Sequence, residues 1–83
     1  MASDDVNHPP HYTFGEIEVI DFIRQVCRHY PGDEAPAVAN IIKYLSRAPH
    51  KGSKKKDVSK TVWYANDLEK LIRSKDDAAR NGS

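Results

Sequence analysis

The stretch Asn40-Ile41-Ile42-Lys43-Tyr44-Leu45-Ser46-Arg47 decides how this chain folds. Its apolar residues recur at intervals of three and four, which predicts a helix with one core face. That face is formed by Val38, Ile41, Ile42, Leu45 and Ala48. The opposite face is polar and is formed by Asn40, Lys43, Tyr44 and Arg47. Two cations, an amide and a phenol within two turns indicate a surface for an anion or a planar ring.

Length and composition limit the class of protein. The chain has 83 residues, of which 39% are apolar, enough for one small domain with a modest core. A core of this size often needs further burial, and we expect an oligomer to supply it. The single cysteine, Cys27, excludes an internal disulfide and a multi-cysteine zinc site. No apolar run reaches the roughly 18 residues that span a bilayer. A soluble, cytoplasmic protein is expected.

The segment Asn7-His8-Pro9-Pro10-His11-Tyr12 predicts an extended arm over residues 1–12, since its prolines disfavour helix. A metal site is not expected at His8 and His11, because their spacing suits ligation only on a helix and no cysteine or carboxylate lies nearby. Two interpretations remain open. The arm packs Tyr12 against the helices, or it folds over a ligand with all three rings.

Helix one is predicted from Glu16 to about His29, with Thr13 and Glu16 as a capping box. Apolar residues cover more than half of its circumference, so it is expected to contact two neighbours, one of which can be another subunit. Glu18 and Asp21 lie three residues apart on its polar strip. This acidic pair could hold a metal or perform acid–base chemistry, or it could simply be solvated.

Helix two is predicted from a cap at Asp33 to Ala48, where Pro49 stops it. The connection 50–56 carries four lysines and no acid: Lys51, Lys54, Lys55 and Lys56. Such a loop is either hydrated and mobile or able to close over phosphates, because lysine is a point charge on a flexible stem.

Helix three is predicted from a cap at Asp57 to about Arg73. Its buried stripe is expected to contain Val58, Val62, Ala65, Leu68 or Leu71, and Ile72. Outside that stripe, Lys60, Trp63 and Tyr64 could pack in a core or subunit interface, or stack on a base. The predicted organisation is therefore an arm at 1–12, an all-α three-helix domain at 13–74 and a disordered tail at 75–83.

Four blocks of the sequence resemble a small bacteriophage domain family of unknown function. These blocks are Asn7-His8-Pro9-Pro10-His11-Tyr12, Gly15-Glu16-Ile17-Glu18-Val19-Ile20-Asp21, Asn40-Ile41-Ile42-Lys43-Tyr44-Leu45-Ser46-Arg47-Ala48 and Trp63-Tyr64-Ala65-Asn66. A domain of that family occurs in a nucleotide kinase of short-tailed coliphages, which acts on deoxynucleoside monophosphates and lacks a P-loop. The resemblance implies nucleotide binding in the cytoplasm of a host cell, with kinase activity in some members.

The chain departs from that pattern at three positions. Ala39 and Pro49 stand where the family usually has glycine, and Ser46 stands where it has an aromatic residue. Proline at 49 stiffens the entry to the lysine loop, which bears on whether the loop closes on phosphates. No catalytic role is carried over from the family, and the catalytic residues stay unknown.

The chemistry of the polar residues predicts a phosphate site. Lys43 and Arg47 lie one turn apart, so both can converge on one phosphate. The phosphate-binding set is predicted to be Asn40, Lys43, Tyr44, Arg47, Lys51 and Lys60. No cofactor is certain from the sequence, and Mg²⁺ could enter with the nucleotide. Glu18 or Asp21 could hold this ion or orient a nucleophile. His11 could then move a proton.

Three functions are consistent with the sequence. The first is a nucleotide-binding domain, either a nucleoside monophosphate kinase or a nucleotide-sequestering protein, in a homo-oligomer. The second is a host-directed interaction module, an inhibitor that uses Trp63 and Tyr64 as anchors. The third is a nucleic-acid binder that uses the lysine loop, although a net charge of +1 disfavours it.

Overall fold

The computed structural model describes residues 13–14, 16–50 and 52–82 and is mostly helical, as predicted. Over these residues the elements are two short strands, three α-helices and one 3₁₀ turn: β1 (Thr13–Phe14), β2 (Ile17–Glu18), α1 (Val19–Cys27), α2 (Ala35–Arg47), the 3₁₀ turn (Ala48–His50) and α3 (Lys54–Gly82). The predicted arm at 1–12 and Lys51 lie outside the described residues. Within them, no helix combines the length and apolarity needed to cross a membrane.

A two-residue hairpin precedes α1, where the sequence predicted a capping box. β1 and β2 are antiparallel, with Thr13 opposite Glu18 and Phe14 opposite Ile17. α1 then begins at Val19, after Glu18 in an extended conformation that makes no side-chain cap hydrogen bond. The capping box at Thr13 and Glu16 is therefore wrong. The backbone groups there are hydrogen-bonded between the two strands. The β-branched and aromatic residues of this segment favour strand structure.

The turn between α1 and α2 is closed by its own backbone. The Tyr30 amide donates to the Cys27 carbonyl at 3.1 Å, and the amides of Glu34 and Ala35 both donate to the Pro31 carbonyl at 3.0 Å. The residue that caps α2 is Glu34, not Asp33, and it makes no side-chain cap bond. Instead, both carboxylates reach across to α3.

Lys75 of α3 joins those two carboxylates. Its Nζ donates to Asp33 Oδ1 at 2.9 Å and to Glu34 Oε2 at 2.7 Å. Glu34 is buried, whereas Asp33 is exposed. The contact fixes the start of α2 against the C-terminal half of α3, about forty residues later in the chain. Because α3 continues through Gly82, its predicted end near Arg73 is wrong, and residues 75–82 of the predicted tail are helical.

The apolar core is small and lies where α2 packs between α1 and α3. Among the described residues, its buried apolar side chains are Val19, Ala37, Val38 and Ala48. Val38 and Ala48 confirm two positions of the predicted α2 stripe, and Ile41 and Ile42 are half-buried. Leu45 is 52% exposed, so its assignment to the core is wrong.

α3 presents a different face to α2 from the one its apolar pattern predicted. It begins at Lys54, so Lys54, Lys55 and Lys56 form its first turn rather than a loop, and Asp57 is not its cap. The residues least exposed on α3 are Asp57, Lys60, Thr61, Tyr64, Leu68, Leu71 and Lys75. Most of the predicted stripe is exposed instead, namely Val58, Val62, Ala65 and Ile72. The rotation of α3 thus follows its polar contacts at Asp57 and Lys75.

Candidate functional site

Tyr44 lies at the centre of a group of aromatic rings between α2 and α3. Its ring stacks on that of Tyr64, with centroids 5.9 Å apart and planes inclined by 12°. Trp63 meets Tyr64 edge-on, at 5.0 Å and 84°. Both arrangements are favourable for aromatic pairs. The three rings form one wall, and the 63% exposed Trp63 is its open end.

Three cationic side chains surround the Tyr44 ring. Lys43 Nζ lies 5.5 Å from the ring centroid, Arg47 Cζ 4.8 Å and Lys60 Nζ 5.0 Å. All three distances are within the range of cation–π attraction. We call this set, Lys43, Tyr44, Arg47, Lys60, Trp63 and Tyr64, the aromatic–cation cluster. The helical spacing of Lys43 and Arg47 around Tyr44 brings the first two cations together, and α3 adds Lys60.

Arg47 is already bound to a carboxylate within the protein. Its Nη2 donates to Asp57 Oδ1 at 3.2 Å and its Nε to Asp57 Oδ2 at 3.3 Å. Asp57 is only 1% exposed, so this is a buried, two-point ion pair. The Arg47 guanidinium therefore orients the site and is not available for bidentate hydrogen bonding to a phosphate. Sequence reasoning missed this role of Asp57, although it is the first acid after the four lysines.

Lys43 and Lys60 differ from Arg47, because within the described part of the chain neither makes an ion pair with a carboxylate. Both side chains are half-buried. Within that part of the chain, each ammonium group contacts the ring of Tyr44, which offsets its charge only weakly. The described residues of the cluster therefore have a net positive charge and are suited to an anion.

Two cavities meet at Trp63. One, of about 260 Å³, is lined by Tyr44, Lys60, Trp63 and Tyr64. The other, of about 340 Å³, is lined by Trp63, Asn66, Asp67, Glu69 and Lys70. The first offers ring faces and an ammonium group, and the second offers an amide and carboxylates. Each is near the lower size of a small-molecule pocket.

The other predicted site residues are not part of this cluster. Asn40 is half-buried one turn before Tyr44. Glu18 precedes α1 and Asp21 lies in its first turn, where it faces Arg24 at 3.7 Å with both side chains exposed. No group of three potential metal ligands occurs among residues 13–14, 16–50 and 52–82. His8, His11, Tyr12 and Lys51 lie outside those ranges.

Comparison with known proteins places the cluster within a family. A family model matches residues 6–66, which include every residue of the aromatic–cation cluster and Asp57. The family's description names no activity, and it provides no link to a nucleotide kinase. Neither the curated proteins nor the solved structures compared contain a match. Since the match spans most of the chain, the protein belongs to the family described as a protein of unknown function, DUF3310.

Proposed function

We propose that this protein binds a nucleotide at the aromatic–cation cluster. The observation that carries the proposal is the position of Lys43 and Lys60 beside a wall of stacked rings, with no carboxylate partner for either lysine among the described residues. A nucleotide combines a planar base with an anionic phosphate. The cluster has a complementary surface for each part.

The phosphate contacts are assigned to the two lysines. A hydrogen bond from an ammonium group to a phosphate contributes about 1.5 to 3 kcal/mol. Lys43 comes from α2 and Lys60 from α3, so a phosphate bound to both would also bridge the two helices. Arg47, paired with Asp57, lies 4.8 Å from the Tyr44 centroid and orients the ring without having to leave its partner.

The base contact is assigned to the aromatic wall. Trp63 is largely exposed and lines both cavities, so one ring is accessible from either side. Stacking of one base on an aromatic side chain contributes about 1 to 3 kcal/mol. Together with the phosphate contacts, this is enough for weak to micromolar binding after the cost of association. The proposal covers binding and assigns no phosphoryl-transfer step.

The test uses the protein's own tryptophan. Trp63 is the only tryptophan, so intrinsic fluorescence reports directly on the proposed stacking surface. We expect a nucleotide to change Trp63 emission and to raise the melting temperature, because a ligand of the folded state stabilises it. The ligands to compare are nucleoside mono-, di- and triphosphates, the matching nucleosides, and ribose 5-phosphate.

The decisive variant is Lys43→Ala with Lys60→Ala. We expect it to weaken nucleotide binding at least tenfold, since two charged contacts are lost. The matched control is Lys54→Ala with Lys55→Ala, which removes two exposed lysines of α3 that line neither cavity at Trp63. Equal weakening by both pairs would mean nonspecific charge attraction. A folded protein that responds to no nucleotide would overturn the proposal.

A further inference from the structure

α3 has an apolar stripe that is largely exposed. Val58, Val62, Ala65 and Ile72 follow a spacing of four, three and seven residues, which places them on one side of the helix. In the structure Val58 is 41% exposed, Val62 54% and Ile72 36%. These residues form a face that α2 does not cover.

This face continues onto α2 through Ile41. An open groove of about 280 Å³ is lined by Ile41, Ala65, Leu68, Glu69, Ile72 and Arg73. A neighbouring groove of about 290 Å³ adds Phe22, Ile42 and Leu45 on the other side of Ile41. The apolar surface is therefore contiguous across three helices, as expected of an interaction site rather than of scattered surface residues.

We propose that a second copy of this chain covers the stripe, with the two α3 helices antiparallel and Ala65 at the two-fold axis. In this register Val58 lies opposite Ile72 of the second copy, and Val62 lies opposite Leu68 of the second copy. The small Ala65 side chains meet at the centre and allow close approach of the helices. Such an interface is self-complementary, as two-fold symmetry requires.

The charges at the two ends of α3 favour an antiparallel arrangement of the two α3 helices. Lys54, Lys55 and Lys56 form the first turn of α3, where the helix dipole disfavours cations. Asp76 and Asp77 lie towards the other end and are exposed. The same register brings Lys54 opposite Asp76 of the second copy. A parallel arrangement would instead place lysines beside lysines and Glu69 beside Glu69.

The interface is separate from the aromatic–cation cluster. Trp63 is two residues from Ala65, which on a helix puts the two side chains on nearly opposite sides. The second copy would leave Trp63 exposed, so the inference does not depend on nucleotide binding.

The test is the mass of the full-length protein in solution by sedimentation equilibrium. We expect twice the 9.4 kDa chain mass for the wild type. Ala65→Glu should raise the dimer dissociation constant at least tenfold, because it places two carboxylates together at the axis. Ser74→Glu is the matched control, since Ser74 is an exposed α3 residue on the side away from Ala65. It should remain dimeric, and far-ultraviolet circular dichroism should show both variants to be as helical as the wild type.

A charge exchange tests the direction of the helices. Lys54→Glu with Lys55→Glu should weaken the dimer, and adding Asp76→Lys with Asp77→Lys to the same chain should restore it. A wild-type protein that stays monomeric at every concentration would overturn the inference that a second copy covers the stripe. Equal dissociation by Ala65→Glu and Ser74→Glu, or failure of the charge exchange to restore the dimer, would overturn the proposed geometry.

Discussion

Arg47 closes a two-point ion pair with Asp57 that joins the last turn of α2 to the first turn of α3. The two hydrogen bonds measure 3.2 and 3.3 Å, and the carboxylate is 1% exposed. The pair fixes how the two helices are rotated relative to each other. It also positions the Arg47 guanidinium 4.8 Å from the Tyr44 ring centroid. One contact thus serves both the fold and the aromatic–cation cluster.

Arg47→Met should destabilise the protein strongly, because it leaves the Asp57 carboxylate buried without its partner. We expect a loss of about 3 kcal/mol in the free energy of unfolding, measured by urea denaturation. Arg24→Met is the matched control, since Arg24 pairs with Asp21 at 3.7 Å with both side chains exposed. Such a pair contributes less than about 1 kcal/mol.

A second variant separates the ion pair from simple packing. Arg47→Met combined with Asp57→Leu removes both charges and should recover most of the lost stability, because an apolar pair can replace a buried ion pair. If the double variant were no more stable than Arg47→Met alone, the buried charge would not be the cause of the loss.

The Lys75 contact predicts how stability depends on pH. Hydrogen bonding to Lys75 lowers the pKa of Asp33 below its usual 3.8. Hydrogen bonds to Glu34 and then Asp33 raise the pKa of Lys75 above its usual 10.5. The Asp33 contribution is therefore present above pH 3.8 and is lost as the pH falls through the lowered value. The Lys75 contribution is present below pH 10.5 and is lost as the pH rises through the raised value.

Lys75→Met should remove this dependence. We expect its melting temperature to lie below that of the wild type at neutral pH and the difference to narrow below pH 3.8 and above pH 10.5. Lys70→Met, another α3 lysine with an exposed side chain, is the control and should follow the wild-type curve. A constant difference between Lys75→Met and the wild type at all pH values would contradict the assignment to these ionised groups.

Substitutions in α2 test which of its apolar side chains are buried. The apolar pattern predicts that Val38 and Leu45 are both buried, whereas the structure buries only the first of these two. Val38 is 6% exposed and Leu45 is 52% exposed, although both belong to the same apolar stripe. Val38→Ala should cost about 1 to 3 kcal/mol of unfolding free energy. Leu45→Ala, which deletes a larger side chain, should cost less. The reverse order would show that the packing of α2 differs from the structure described.

The sequence predicts α2 well because the residues that start and stop the helix agree with its apolar periodicity. Pro36 near the start, the apolar spacing and Pro49 after the end all indicate one helix. The prediction that Lys43, Tyr44 and Arg47 share a face follows from the same spacing, and the structure places all three in one cluster.

α3 shows why the remaining predictions failed. Its most apolar side is exposed, while the side against α2 includes Asp57, Thr61 and Lys75. Apolar periodicity identifies the apolar side of a helix. It does not indicate whether that side packs against the rest of the same chain or against another molecule. The partners of Asp57 and Lys75 lie 10 to 42 residues away in sequence, so no local motif reveals them. For that reason the sequence alone predicts a disordered tail at Lys75.

The final prediction concerns the ring at the centre of the cluster. Tyr44→Leu keeps an apolar side chain but removes both the cation–π contacts and the stack on Tyr64. On the proposed function, it should weaken nucleotide binding about tenfold, as the loss of one aromatic contact predicts. Tyr44→Phe keeps the ring and should bind like the wild type. Tyr30→Leu, at an exposed tyrosine outside the cluster, is the control. If Trp63 fluorescence titrations gave the same affinity for Tyr44→Leu and the wild type, the base would not be stacking on this wall.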